Sequence, residues 1–292
     1  MRSSLHQTNS KQPQLNPVYG LSRFSGYYFL VGLNAKLDRY KHPYWEILIQ
    51  DAHETVSVYS RDIEGLIPSL APYSIIQLEC ARSRKNGKFF FVCDWIEIAN
   101  EIPIKHKNIE LVPHSTAVNQ HDFFTLVEMI NSIEIKELRN FINEVLFESK
   151  ITIPFLRNPA SLRFHHNYPG GLLSHSVSVA TELSAKFSNS NIERDISIVA
   201  ALLHDIGKTK TLSESMGRTK LGFLLDHSDL TLEICANALA RLDAKLLDTA
   251  QHLRHAWTYA TPNARYGFKP KTDLAKQLQK VEHDSAKEVS SS

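Results

Sequence analysis

Histidine is the residue type that demands an explanation in this chain. There are 14, and eight of them (His165, His166, His175, His204, His227, His252, His255, His283) fall from position 165 onward. Imidazole titrates near neutrality and is the commonest metal ligand. The sharpest grouping is Ala201-Leu202-Leu203-His204-Asp205-Ile206-Gly207-Lys208. Ile196, Val199, Ala200 and Leu203 repeat at the spacing of a buried helical stripe, so His204 and Asp205 arrive at the end of that helix, just before Gly207 breaks it. An imidazole beside a carboxylate at a rigid helix end is placed to grip one metal ion. Lys208 follows, where a cation meets a substrate phosphate. His175 lies on the stripe of Leu172, Val179 and Leu183, which aims its ring inward. A lone inward histidine is more often a satisfied core residue, but a His-Asp pair one helix later favours a shared metal. Asp284, on the last predicted helix, supplies a fourth ligand.

Mixed nitrogen and oxygen donors suit manganese, iron or zinc better than an all-oxygen cage for magnesium or calcium. The cofactor expected is therefore a divalent ion, manganese first, with iron, zinc or magnesium as alternatives. Such an ion activates a water molecule for attack on phosphorus. His165-His166 followed by Gly170-Gly171 lacks the spacing of a phosphate-cradling P-loop. We read it as a turn into the next helix that also brings two imidazoles near the metal, positioned for substrate phosphate.

The elements that must hold these residues fall into two halves. From Gly26 to Asn100 the pattern alternates and is rich in β-branched and aromatic residues. It predicts strands at Tyr27–Asp38, Tyr44–Gln50, Thr55–Ser60, Tyr73–Ala81 and Phe89–Ile98, with a short helix at Ile63–Leu70. Five strands with a helix after the third is the order of an OB-fold, a small barrel whose face binds single strands. Lys36, Arg39, Tyr40, Tyr44, Trp45, Arg84 and Lys88 are its candidate base-stacking and phosphate-pairing residues. After an irregular stretch the period turns helical, with helices predicted at Leu172–Phe187, Ile192–Asp205, Asp226–Leu242, Lys245–Trp257 and Asp273–Ala286. The fold class expected is multidomain β + α: a disordered leader at 1–20, an OB-like five-stranded β-barrel at 21–100, a linker at 101–120 and an all-α domain at 121–292.

Composition narrows the function classes. In 292 residues, 42% hydrophobic and 22% charged, a packed core is expected. A net charge of only +2 leaves nucleic-acid contact to local patches. Cys80, Cys93 and Cys235 have no CxxC spacing, which excludes a disulfide scaffold and a thiolate zinc site. No apolar run approaches the roughly 18 residues of a membrane span. A cytoplasmic protein is the expectation, with single-stranded RNA or DNA as partner, no membrane, and a second copy of the chain allowed for.

The set His175, His204-Asp205 and Asp284 resembles the signature of the HD superfamily of metal-dependent phosphohydrolases. The stretch Asn158-Pro159-Ala160 through His165-His166-Asn167-Tyr168-Pro169-Gly170-Gly171-Leu172-Leu173-Ser174-His175 is similar to the entry of the HD domain in bacterial 3′–5′ exoribonucleases of the YhaM type. Those also place an OB-fold first. The resemblance implies that His175, His204, Asp205 and Asp284 hold the first metal. His227, preceded by Asp226 where the family has glycine, and His255, followed by Ala256 where the family has a second histidine, would hold a second. It further implies a substrate loop across Arg265-Tyr266-Gly267-Phe268-Lys269-Pro270-Lys271, with Arg265 and Lys269 toward phosphate, and Asp205 and Lys208 as the catalytic pair. The expected function is a metal-dependent 3′–5′ exonuclease on single-stranded nucleic acid, RNA first. The alternatives are an HD phosphohydrolase of small nucleotides, or a conjugation or DNA-processing factor, since similar His-His and Pro-Gly-Gly-Leu-Leu stretches resemble H-class conjugative relaxases.

Overall fold

The computed structural model describes residues 13–61, 63, 65, 70–99, 102–259 and 269–288. The chain divides into two compact units: residues 1–106 with 111–113, and residues 107–110 with 114–292.

The first unit is a closed five-stranded barrel in the order β1-β2-β3-β5-β4, followed again by β1. Its strands are β1 (Arg23–Leu37), β2 (Pro43–Gln50), β3 (Thr55–Ser60), β4 (Ile75–Lys85) and β5 (Lys88–Ile98). One long strand closes it: Arg23–Phe29 of β1 pairs with β4, and Phe29–Leu37 pairs with β2. The change of partner coincides with a register shift between Leu30 and Gly32, the bend a barrel needs. Alternate residues point inward, so Phe24, Tyr28, Ile47, Ile49, Val58, Ile76, Leu78 and Phe91 fill the interior. The predicted helix at Ile63–Leu70 lies largely outside the described residues.

Two sequence expectations change here. Residues 13–20 are not a disordered leader. Asn16–Gly20 form a 3-10 turn, and Leu15 and Val18 are fully buried in the barrel core. Asp51 accepts the Leu15 N–H at 2.7 Å, and Tyr28 donates its hydroxyl to the Pro13 carbonyl at 2.8 Å. Two apolar residues in a polar stretch are too few to show a periodicity, yet enough to plug a barrel end. Nor does the lack of CxxC spacing keep Cys80 and Cys93 apart. They are cross-strand partners on β4 and β5, free thiols with sulfurs 3.1 Å apart.

The second unit is helical: α1 (Gln120–Ser132), α2 (Lys136–Leu146), α3 (Ser149–Arg157), α4 (Gly171–Lys186), α5 (Asn191–Leu203), the single turn α6 (Lys208–Thr211), α7 (His227–Asp243), α8 (Leu247–Thr258) and α9 (Asp273–Glu288). A small ribbon, β6 (Leu212–Ser213) with β7 (Gly217–Arg218), follows α6 and was not foreseen. Helix starts follow local capping chemistry. Asn119 accepts the Asp122 N–H at α1, and Asp226 accepts the Ser228 N–H at α7. Buried Asp195 accepts the Glu134 and Ile135 N–H groups ahead of α2.

Helix α5 is central. Its stretch Ser197-Ile198-Val199-Ala200-Ala201-Leu202-Leu203 is buried on every side, not along one stripe. A helix apolar all round belongs in the middle of its domain. Truncating Leu202 or Leu203 to alanine would cost about 2–5 kcal/mol. The Trp257 indole N–H of α8 bonds the Ala200 carbonyl at 2.9 Å, which fixes α8 against α5. The stiff end of α5 is where the chemistry-bearing residues begin.

Candidate metal centre

Helix α5 ends at Leu203, and His204 and Asp205 follow in a tight turn instead of closing the helix as expected. Both are buried, 6% and 5% exposed. His175 enters from α4, at 3% exposure. Its Nε2 lies 3.2 Å from His204 Nε2 and 3.5 Å from Asp205 Oδ2. His204 Nε2 lies 3.3 Å from the same oxygen. The other carboxylate oxygen, Oδ1, faces His227 Nε2 at 3.2 Å, at the start of α7. Lys208 Nζ reaches Asp205 Oδ2 at 2.6 Å. Asp205 thus turns each of its oxygens toward a different set of imidazoles.

The donor set fits a cation. His204 Nδ1 lies 2.6 Å from the Ala201 carbonyl, which only its N–H form can bond. In a neutral ring the Nε2 lone pair then points at carboxylates and at another imidazole nitrogen. Lone pairs converging from buried side chains repel unless a cation lies among them, and an outer N–H held by a carbonyl is typical of a ligating histidine. Without a metal, a proton takes that role. Burial opposes charge on His204, but Asp205 and the Glu282 carboxylate, 3.0 Å away, outweigh it and raise the imidazole to about 10. Burial and the neighbouring His204 push His175 down to about 2. Burial alone would raise Asp205, yet Lys208 and His204 hold it well below the usual carboxylate range.

Three glycines allow this convergence. A Cβ on Gly207 would lie 1.9 Å from the His227 carbonyl oxygen. Gly207 has an ordinary helical φ of −59°, so it is there for the close approach of α7, not as a helix breaker. Thr231, fully buried, locks the same contact: its hydroxyl accepts the Gly207 N–H at 3.1 Å and lies 3.0 Å from the His227 carbonyl oxygen. In the entry loop, Gly170 has φ +82° and His166 φ +54°. A Cβ on Gly171 would sit 2.1 Å from the His166 carbonyl oxygen. The strained loop carries His165 and His166 to ring-centroid distances of 5.0 and 5.3 Å from His175. Burial lowers the titration of both, helped by Lys208 at His165 and by His165 at His166. Among the described residues, the buried Nδ1 atoms of His165, His166 and His175 have no hydrogen-bond partner.

Residues 172–285 match the family model described as the HD domain. The helical unit carries an HD domain. Among relatives, 98 residues are 35% identical to the dihydroneopterin 2′,3′-cyclic phosphate phosphodiesterase of Methanocaldococcus jannaschii, covering 28% of this chain and 39% of that protein. Over 169 residues the chain is 29% identical to the 3′-5′ exoribonuclease YhaM of Bacillus subtilis, covering 51% of this chain and 52% of that one. YhaM of Oceanobacillus iheyensis is 30% identical over 150 residues, 47% and 46% of the two chains. The chain spans about half the length, or less, of these relatives.

Within the HD domain, three expected positions stand elsewhere. Glu282, not Asp284, meets His204, and among the described residues no hydrogen bond or ion pair joins Asp284 to the cluster. The reason is helical phase. The buried residues of α9 are Leu274, Ala275, Leu278 and Val281. At about 100° per residue, Glu282 falls about 50° from the middle of that stripe and Asp284 about 110°. His255 is also apart: its Nε2 accepts the Lys271 backbone N–H at 2.9 Å. Lys269 is exposed on the chain leading to α9, and Arg265 lies outside the described residues.

On the barrel, Lys36 pairs with Glu46 at 2.7 Å, Arg39 covers the Tyr40 ring, and Arg84 covers Phe89. Trp45 packs partly against the barrel core, and Lys88 pairs with Lys85 across the β4–β5 hairpin. Ring contacts run from Tyr44 to Tyr59 and on to Phe90, across β2, β3 and β5. Tyr59 and Phe90 are not evident from sequence, because only closure of the barrel makes them neighbours of Tyr44. Thr231 and Glu282 likewise join the site without having been expected there. The period of α9 contained the signal for Glu282.

Among the described residues, no helix is long and apolar enough to cross a membrane.

Proposed function

We propose that this chain is a metal-dependent phosphodiesterase that trims single-stranded nucleic acid from the 3′ end, RNA before DNA. His175, His204, Asp205 and His227 would hold one or two divalent ions, manganese first. The observation that carries this reading is the divided carboxylate of Asp205, with one oxygen toward His175 and His204 and the other toward His227. Both oxygens of that carboxylate, with the imidazoles on either side, would therefore be available to hold a divalent ion. A divalent ion bound there supplies a Lewis acid for the phosphoryl oxygens and makes water acidic enough to react near neutral pH.

The protein's own residues do the rest. Lys208 is the cation beside Asp205, within reach of a phosphate oxygen. His165 and His166, kept neutral by burial, orient that phosphate by hydrogen bonding and add no charge. Thr231 and Gly207 keep His227 in register with Asp205. The barrel's aromatic row, Tyr44, Tyr59 and Phe90, is a platform on which bases stack.

Incubation with manganese and a 5′-labelled single-stranded oligonucleotide should give a ladder descending from the 3′ end. An untouched oligonucleotide, with hydrolysis of a 2′,3′-cyclic mononucleotide by the same preparation, would favour a second reading. That reading is a phosphodiesterase of small nucleotides, and the similarity to the archaeal cyclic phosphate phosphodiesterase supports it.

A further inference from the structure

A cleft of about 750 Å³ opens beside the imidazole cluster, and Lys208 and His227 belong to both. Its size lies within the roughly 300–1,000 Å³ of small-molecule sites. The loop before α4 contributes Arg163 and Phe164, the end of β7 contributes Arg218, and the 3-10 turn between β7 and α7 contributes Phe223. Phe164 is 75% exposed and Phe223 74%. Two large aromatic faces left in water within one cleft mark a binding surface.

Neither phenylalanine sits on a loose loop. The Phe164 N–H bonds Ser161 Oγ at 2.7 Å. Phe223 ends a 3-10 turn pinned at Gly222, where a Cβ would meet the Thr211 carbonyl oxygen at 2.2 Å. Arg163 makes no hydrogen bond or ion pair among the described residues. Arg218 gives one N–H to the Gly222 carbonyl at 3.1 Å and keeps the others. The lining acid, Asp226, is engaged by the N–H and hydroxyl of Ser228. Exposed aromatic faces carried on anchored backbone, with an excess of cations, suit one ligand chemistry, a flat base carried on a phosphate.

We infer that this cleft receives the terminal nucleotide of the substrate strand. Its base stacks on Phe164 and Phe223, and its 5′ phosphate, which is the scissile one, lies at Lys208 with Arg163 and Arg218 lining the same cleft to offset the phosphate charge. The inference rests on the phosphodiesterase reading and adds to it a base-stacking pocket within the helical unit. Every base has a π-face, so the pocket tolerates all four bases and rejects an end without one.

The probe is a single-stranded oligonucleotide with 2-aminopurine as its 3′-terminal base, titrated with the full chain in EDTA, where stacking quenches fluorescence and no hydrolysis intervenes. Wild type should quench saturably. Phe164→Ala and Phe223→Ala should each weaken binding about 5- to 150-fold, the range of one base–aromatic contact. With manganese, wild type should favour a base-bearing 3′ end over an abasic one, and that ratio should shrink toward one in the double variant. Equal quenching by wild type and the double variant, with an unchanged melting temperature, would overturn the pocket. So would equal wild-type cleavage of abasic and base-bearing ends, a result that leaves the phosphodiesterase reading standing. Phenylalanine-dependent quenching with no cleavage of any oligonucleotide would do the reverse, retaining the pocket and removing the exonuclease.

Discussion

Gly207→Ala tests whether a single close contact sets the geometry of the centre. Backbone conformation does not forbid alanine there, since φ is −59° and ψ −23°. Space does. The new methyl carbon would stand 1.9 Å from the His227 carbonyl oxygen and 2.7 Å from its carbon, whereas real Cβ contacts do not fall below 3.0 Å. The start of α7 must therefore retreat by about 1.1 Å or more. The 3.2 Å approach of His227 Nε2 to Asp205 Oδ1 is lost with it, as is the Gly207 N–H bond to Thr231. Overpacking of this kind costs about 1–3 kcal/mol of stability. A displacement of about 1 Å at reacting groups costs on the order of 100-fold in turnover. The assay is thermal melting, metal affinity and phosphodiester turnover on Gly207→Ala, His227→Ala and the double variant. If alanine acts through His227, the double variant should turn over no more slowly than His227→Ala alone. A Gly207→Ala protein with wild-type melting and turnover would refute the close-approach argument.

Four further outcomes are expected. Asp205→Ala should lower turnover by at least about 10³-fold, and should destabilise the metal-free protein by about 3–5 kcal/mol, because Lys208 and the His204 imidazolium then lose their buried counter-charge; paired kinetics and urea melts check both. His255→Ala should change turnover by less than about threefold and leave metal content intact, as a histidine bonded to the Lys271 backbone lies outside the cluster; metal analysis showing a lost ion would contradict it. In the metal-free protein, His204 is raised to about 10, so its stabilisation is complete below about 6.5 and is lost as pH rises through about 10. His175, lowered to about 2, is neutral in both states above about 6.5 and does not interfere. Urea midpoints between pH 7.5 and 10 should therefore fall more steeply in wild type than in Glu282→Gln; parallel slopes would remove Glu282 from the cluster. Binding of a first divalent ion at pH 8 should release about one proton, because the imidazolium of His204 must deprotonate to ligate; an indicator-dye titration measures it.

The readable parts of this protein are those where the information is local. His204 and Asp205 are adjacent, so any end to α5 delivers both to one place. The apolar run before them demanded burial, although a stripe underestimated it: with Ala200, Ala201, Leu202 and Leu203 in sequence, every face of the helix is apolar. The alternation of the first half was enough to find five strands, and their order with the intervening gap was enough to expect a barrel.

Distant pairings were not readable in this way. Asp284 and Glu282 are two residues apart on one helix, and chemical type alone favours neither; the phase of Leu274, Leu278 and Val281 along α9 carries the signal for Glu282, but its meeting with His204 comes only with packing. His255 carries the right side chain on a helix of the right domain, and the backbone N–H of Lys271 takes its ring instead.

What the sequence determined by itself was a set of donors, a helix to hold the central pair and the change from strand to helix along the chain, because each follows from neighbours within a turn or two. What only the tertiary structure decided was distance. The 1.9 Å that leaves Gly207 no room for a side chain, the two directions of the Asp205 oxygens and the burial of Leu15 in a barrel end all join residues far apart in the chain, and Phe164 and Phe223 come to line one cleft in the same way. Packing fixes such contacts to tenths of an ångström, since a dense interior admits few arrangements, whereas chain order constrains them hardly at all.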